Sequence, residues 1–318
     1  MSLDEFLEEW NNPSPYVHVQ TSGSTGAPKP MLVEKQRMLN SARITCDFLG
    51  LQEDDTALLC MSLDYIAGKM MVVRALERHL KLITVEPSGH PLDNDLCQID
   101  FAAMVPMQVY NALQVPAECE RLKQIRHLII GGGAIDDALA AALKSFPHHV
   151  WSTYGMTETL SHIALRKLNG AEASDYYTPF PSVKVSLNDE SCLVINAPEV
   201  CSERLVTNDI AELREGRFRI LGRKDNVICS GGIKIQTEQV ERQLRSHLSQ
   251  PFLITKRPDE KFGEVVVLLS EGPVDEARAV CERILPKYYQ PKAYLHVDKI
   301  PLTETGKPAR KQAETLAK

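Results

Sequence analysis

The chain has no apolar stretch approaching the roughly 20 residues that a membrane-spanning helix needs. It has no run of basic residues, and its formal net charge is −6. Nucleic-acid binding rests on clustered lysine and arginine, so no such partner is expected. None of the eight cysteines forms a Cys-x-x-Cys pair, which argues against structural zinc. Cys46, Cys60, Cys97, Cys119, Cys192, Cys201, Cys229 and Cys281 are read as reduced thiols, most of them small buried apolar residues. The acidic N-terminus lacks a signal-peptide h-region. Internal repeats and low-complexity tracts are also missing. The expectation is a soluble cytoplasmic protein, with self-association left open. An apolar fraction of 43% with 25% charged residues over 318 residues suits a globular chain of two domains.

Short β-rich runs at 57–61, 82–85, 101–105, 127–130 and 150–153 alternate with helical spacing at 34–49, 66–79, 107–113 and 136–146. This alternation predicts βαβ units and a largely parallel sheet, whose carboxyl edge is where open α/β folds bind ligands. Past residue 178 the pattern becomes short strands at 183–187, 192–195, 210–213 and 217–221, separated by polar turns. Beyond the charged junction Gly222 to Asn226, helical spacing at 237–248 and 275–285 brackets strands at 252–256 and 265–269. The expected fold class is therefore α/β. A large N-terminal domain, 1–222, holds a mainly parallel sheet flanked by helices and a small antiparallel β subdomain at 179–222. A small mobile α+β domain, 223–318, follows.

Five motifs carry the chemistry. The loop Thr21, Ser22, Gly23, Ser24, Thr25, Gly26 through Lys29 follows an apolar run at 16–19. Glycine lets backbone N–H groups approach phosphate oxygens, and hydroxyls and the ammonium add donors. It is not a Walker loop, because Pro28 separates Gly26 and Ala27 from Lys29. Tyr154, Gly155, Met156, Thr157, Glu158 and Thr159 follow a predicted strand. They read either as a phosphate and Mg2+ site through Thr157 and Glu158, or as a strand-to-helix turn capped by Thr157 or Thr159. Gly131, Gly132, Gly133 and Ala134 fit a flat surface for a planar ligand or a tight turn before a helix. Asp209, preceded by Thr207 and Asn208, can accept from both hydroxyls of a ribose, with Arg223 adding a charge-assisted bond, or it is a solvated turn residue. Lys307, between Gly306 and Pro308, presents a compact cation suited to charge developing at an α-phosphate, or is a solvated tail lysine.

In this order the motifs resemble the acyl-/aryl-CoA synthetase branch of the adenylate-forming (ANL) superfamily, over nearly the whole chain from Thr21 to Arg310. The resemblance implies an enzyme using ATP, Mg2+ and coenzyme A on a small-molecule carboxylic acid. Thr21 to Lys29 would hold the β- and γ-phosphates, Tyr154 the adenine, Thr157 the α-phosphate and Glu158 the metal. Gly132, Gly133 and Ala134 would also line the nucleotide. Asp209 would bind the ribose with Arg223 nearby, and Lys307 would join the acid carboxylate to the α-phosphate. The C-terminal domain would then pivot at Asp225, withdrawing Lys307 and bringing in Gly231 and Gly232 to admit the pantetheine arm.

Two departures stand out. Family members carry a longer stretch before the phosphate loop, which implies that the first subdomain is absent here. The family's Thr-Gly-Asp reads Thr207, Asn208, Asp209. The short form and the segment 63–74 look like the 2-succinylbenzoate–CoA ligases of menaquinone biosynthesis. Lys69, Arg74, Ser161, His162 and Arg166 are the candidate donors for that acid's spare carboxylates. Two other readings compete: an adenylating enzyme that loads another aromatic or aliphatic acid onto a carrier protein, and a nucleotide-binding pseudoenzyme. The presence of Lys307 and Glu158 argues against the pseudoenzyme, and the Ser230, Gly231, Gly232 turn favours free coenzyme A.

Overall fold

The structure is a computed structural model that describes residues 1–20, 30–93, 98–303 and 308–318. The phosphate-loop motif, Cys97 and Lys307 lie outside the described residues. Two compact units divide the chain. The first is Met1–Val185 with Ile195–Leu205 and Arg214–Phe218; the second is Ser186–Val194 with Val206–Leu213 and Arg219–Lys318.

The first unit is built on a seven-stranded sheet. Its order is Lys81–Thr84, Thr56–Leu59, Phe101–Met104, His127–Ile130, His149–Gly155, His162–Lys167, Thr178–Pro179. The first five strands pair in parallel, the sixth pairs antiparallel with the fifth, and the seventh antiparallel with the sixth. All of Phe101–Met104 is buried, the continuous apolar reading of a strand covered on both faces. Leu58, Ala102, Met104, Leu128, Ile130 and Val150 from the strands pack with Val109, Leu122, Leu139 and Leu143 from the helices. Each large side chain so buried contributes about 1.5–3 kcal/mol. Leu128→Ala would cost about 2–5 kcal/mol by leaving a cavity at the centre.

The predicted strands and helices of this unit are present, with additions. A helix, Leu3–Asn11, opens the chain with a capping box between Ser2 and Glu5. Tyr16–Gln20 pairs antiparallel with Pro30–Glu34, so Gln20 and Pro30, the described residues flanking the phosphate-loop motif, lie opposite each other. The second of these strands went unpredicted because it opens on a proline and runs directly into the following helix, which was expected from 34. That helix, Lys35–Leu49, instead starts after it.

Lys184–Leu187, Cys192–Asn196, Leu205–Arg214 and Arg217–Arg223 form a four-stranded sheet in chain order. The third strand starts earlier than the predicted 210–213. Asp209 therefore sits inside a strand, not in a turn.

In the second unit Gly263–Ser270 is central. It pairs antiparallel with Phe252–Asp259 and with Val227–Ser230, and parallel with Ala293–His296; Val227–Ser230 also pairs with Ile233–Gln236. Side chains alternate across this sheet. Ile254, Val266 and Leu268 meet Val240 and Leu244 of helix Thr237–Arg245 and Ala277 and Cys281 of helix Val274–Ile284. On the opposite face Leu253, Val267 and Leu269 meet Ala313 and Ala317 at the C-terminal helix Arg310–Leu316.

Candidate functional site

Two motifs share the carboxyl edge of the parallel sheet. Gly131 to Ala134 leave the strand His127–Ile130, and Tyr154 to Glu158 end its neighbour His149–Gly155. They touch there: a β-carbon on Gly131 would lie 2.3 Å from Thr153 Oγ1. Gly132 and Ala134 are exposed, and Asp136 caps the helix that follows by accepting from Leu139 N at 2.8 Å. The turn-before-a-helix reading holds, and it leaves an open glycine surface.

Thr157–Thr159 is a single 3₁₀ turn. Thr159 Oγ1 accepts from Met156 N at 3.0 Å and donates to Ser161 O at 2.8 Å. Thr159 thus holds the turn from its third position, while Met156 takes the N-cap place and a strand, not a helix, follows. Leu160 follows at φ 66°, a left-handed backbone that is strained for leucine. The chain then doubles back so closely that a β-carbon on Gly155 would meet Ser161 O at 2.2 Å. Only glycine fits there. Thr157 is buried, whereas Glu158 is exposed and its carboxylate has no hydrogen-bond partner among the described residues. Exposed hard oxygens of this kind fit a Mg2+ ion.

Tyr154 sits in an aromatic cluster. Its ring is edge-on to Phe218 with centroids 5.0 Å apart and 5.8 Å from Tyr177, which stacks on Phe218 at 5.5 Å. Ser152 Oγ and the Tyr177 hydroxyl lie 2.8 Å apart. Arg166 lies 5.4 Å from the Tyr177 ring centroid and 3.6 Å from Asp175. Tyr177 and Phe218 escaped the sequence reading because they come from separate strands and carry no motif.

The doubled-back chain brings Ser161 and His162 against helix Ile66–Arg78. Arg74 Nη2 donates to Ser161 Oγ at 2.5 Å. Ser161 Oγ lies 3.1 Å from His162 Nδ1, and His162 Nε2 lies 3.2 Å from Thr45 Oγ1, which donates to Ser41 O at 3.0 Å. The donor order this imposes is Arg74 to Ser161, Ser161 to His162, His162 to Thr45, with the imidazole neutral and protonated on Nε2. Burial, then the nearby Arg74 charge, hold His162 well below the ordinary histidine value. Arg74 is 2% exposed, and burial lowers its guanidinium to about 10. Its Nε has no hydrogen-bond partner among the described residues, and Nη1 points at Met71 Sδ 3.8 Å away. No carboxylate pairs with it among the described residues. Thr45 is a member that sequence reading missed.

Lys69 is not in this group. Its ammonium donates to His18 O at 2.5 Å and lies 5.7 Å from the Phe6 ring, so it braces the strand Tyr16–Gln20. Desolvation lowers its pKa, partly offset by Glu9 and Asp64.

The second unit holds the ribose and hinge candidates. Asp209 N donates to Thr207 Oγ1 at 3.1 Å, and Thr207 Oγ1 donates to Leu193 O at 2.8 Å, which fixes the carboxylate's base. Arg223 reaches Asp209 Oδ1 through Nη1 at 3.2 Å and Asp225 Oδ2 through Nη2 at 2.8 Å. Asn208, where the family pattern has glycine, donates from Nδ2 to both Asp225 oxygens at 3.3 and 3.2 Å. Lys224 meets Glu190 at 2.6 Å. The hinge candidate Asp225 sits in a single 3₁₀ turn, Lys224–Asn226, with no buried residue. Gly231 and Gly232 both have positive φ, 57° and 85°, and Gly231 N donates to Phe262 O at 2.9 Å.

With this geometry established, comparison places the chain. It belongs to the AMP-binding enzyme family, which matches residues 5–200. The 2-succinylbenzoate–CoA ligase of Salmonella typhimurium is 28% identical over 295 residues, covering 86% of this chain and 63% of that protein. The chain thus spans less than two thirds of that relative. An acyl-CoA synthetase (AMP-forming)/AMP-acid ligase II-like protein of Dyadobacter fermentans is 33% identical with a TM-score of 0.67, covering 98% of this chain and 92% of that one. The o-succinylbenzoate coenzyme A synthetase MenE of Bacillus subtilis, in complex with ATP and magnesium ion, has a TM-score of 0.75 at 22% identity. That match covers 93% of this chain and 69% of MenE, and it speaks for the shared fold.

Proposed function

We propose that the chain is an AMP-forming acid–thiol ligase that converts 2-succinylbenzoate to its coenzyme A thioester, a step of menaquinone biosynthesis. The observation that carries this reading is Arg74. A buried guanidinium without a carboxylate is costly, and here it lies beside Ser161, on the turn that also bears Thr157 and Glu158. A substrate with a carboxylate remote from the reacting one would supply the missing acceptor. The name of the Salmonella relative agrees with that acid.

In the first step the reacting carboxylate oxygen bonds to the α-phosphorus of ATP, and the bond to the β-phosphate oxygen breaks to release pyrophosphate. The 21–29 segment would hold the departing phosphates, Thr157 the α-phosphate, Tyr154 the adenine and Asp209 with Arg223 the ribose. The glycine surface Gly132, Gly133 and Ala134 would lie along the nucleotide. Glu158 would hold Mg2+, which neutralises phosphate charge when bound. Lys307 would stabilise the charge gathering between carboxylate and phosphate.

In the second step the thiol sulfur of coenzyme A bonds to the acyl carbon, its proton goes to solvent, and AMP leaves. Gly231 and Gly232 would admit the pantetheine arm. The division of labour between 1–222 and 223–318, with Asp225 as the pivot, belongs to the same proposal; the turn Lys224–Asn226, polar throughout, supports it. No described helix is long and apolar enough to cross a membrane. The seven described cysteines are all free, which supports a reducing, cytoplasmic compartment.

The test is product formation. Incubation with ATP, Mg2+, coenzyme A and 2-succinylbenzoate should give the thioester by mass spectrometry. Benzoate, which lacks the remote carboxylate, should give little. Preference for benzoate or for a fatty acid would contradict the assignment.

A further inference from the structure

The C-terminal helix begins at Arg310, and its first side chain is held by three hydrogen bonds. Arg310 Nη1 donates to Glu241 Oε1 at 2.6 Å and to Ile254 O at 2.8 Å, while Nη2 donates to Glu241 Oε2 at 2.8 Å. Glu241 Oε1 also accepts from Ile254 N at 3.0 Å. One guanidinium fork therefore locks the start of the last helix to the helix Thr237–Arg245 and to the strand Phe252–Asp259. Glu241 is 5% exposed. The chain just before Arg310 is also fixed. Ala309 N donates to Pro301 O at 2.9 Å, and Leu302 and Pro308 form an antiparallel bridge.

The helix does not depend on this ion pair for its packing. Ala313 and Ala317 already seat it on Leu253, Val267 and Leu269. A buried ion pair is a weak source of stability, since matched apolar replacements are often neutral or better, but its bidentate geometry fixes position tightly. Arg310 lies three residues beyond Lys307, a separation the chain can span by at most about 10 Å. Anchoring Arg310 therefore restricts where the lysine can be placed.

We propose that Arg310 and Glu241 are a positioning pair for Lys307, setting the base from which it serves adenylation. This rests on the proposed role of Lys307 in the first half-reaction. The pair acts through placement, so its loss should be felt where an error of an ångström matters, in the step that uses the lysine, and not in acid or ATP binding.

The experiment compares wild type, Arg310→Met, Arg310→Lys, Glu241→Gln and Lys307→Ala in the full chain, each checked for folding by circular dichroism. Pyrophosphate release with ATP and 2-succinylbenzoate reads the first half-reaction; thioester formation from supplied 2-succinylbenzoyl-adenylate and coenzyme A reads the second. For Arg310→Met, kcat of the first should fall roughly 10- to 100-fold with KM values within about twofold. The second half-reaction should stay within about twofold of wild type. Arg310→Lys, which keeps the charge and loses the fork, should recover part of the loss. If Arg310→Met does not fold, Glu241→Gln, which preserves shape, decides. Unchanged adenylation in folded variants, or equal loss of both half-reactions, overturns the positioning role. Full adenylation by Lys307→Ala would instead overturn the reading beneath it.

Discussion

Arg74 Nη2 lies 2.5 Å from Ser161 Oγ, joining the middle of a helix to the strained turn that follows Glu158. The bond uses one of the five donors of a guanidinium that is 2% exposed and has no described carboxylate partner. Such an arrangement costs stability and is intelligible as a receptor for a carboxylate.

Arg74→Met should therefore separate function from stability. Removing an uncompensated buried charge for a side chain of similar length should leave the thermal midpoint unchanged or raise it. The KM for 2-succinylbenzoate should rise about 10- to 100-fold, the worth of a lost charge-assisted bond, while the KM for ATP holds. A large drop in thermal midpoint with an unaltered acid KM would assign Arg74 to the core alone.

At the hinge candidate, Asp225→Pro should slow thioester formation more than adenylate formation, because proline fixes one of the torsions the pivot would use. Asn208→Gly probes the same turn. It removes the two contacts from Asn208 Nδ2 to the Asp225 carboxylate and restores the family pattern. The loss of a hydrogen bond worth about 0.5–1.5 kcal/mol should speed the overall turnover by roughly 2- to 10-fold if that bond restrains the pivot. Equal effects of Asp225→Pro on both half-reactions, or slower turnover in Asn208→Gly, would argue against a pivot there.

A stability prediction comes from the amino ends of two central strands. His127 and His149 stack with ring centroids 5.2 Å apart, and His149 Nδ1 meets Lys167 Nζ. Burial, then Arg126, push His127 down to about 4; burial and Lys167 lower His149. A histidine whose folded pKa lies below its unfolded value of about 6.5 binds fewer protons when folded. The stability it contributes is complete above that value and is lost as the pH falls towards 4. Thermal midpoints should fall across this window, and the fall should be smaller in His127→Gln. An unchanged slope in that variant would place the acid sensitivity elsewhere.

The parallel sheet was legible because its strands are short apolar runs separated by helical spacing, a local pattern that period alone reveals. Pro30–Glu34 was not, since a strand that begins with proline and runs into a helix has no boundary signal of its own. The alternative of Asp209 as a turn residue rested on Asn208 and Asp209 being turn formers; placement within the strand Leu205–Arg214 overrides that preference. Tyr154, Glu158 and Arg223 carried their chemistry in motifs. Thr45, Tyr177, Phe218 and Glu241 became visible only once folding had brought distant segments together. Glu241 meets Arg310 across 69 positions of sequence, and no local pattern encodes such a pairing.

The central claim is that this chain forms an acyl-adenylate, and isotope exchange between labelled pyrophosphate and ATP reads that step without coenzyme A. Exchange should require 2-succinylbenzoate and Mg2+, and should be abolished in Lys307→Ala. Absence of exchange in the wild-type chain with this acid, or exchange that persists in Lys307→Ala, would contradict the account.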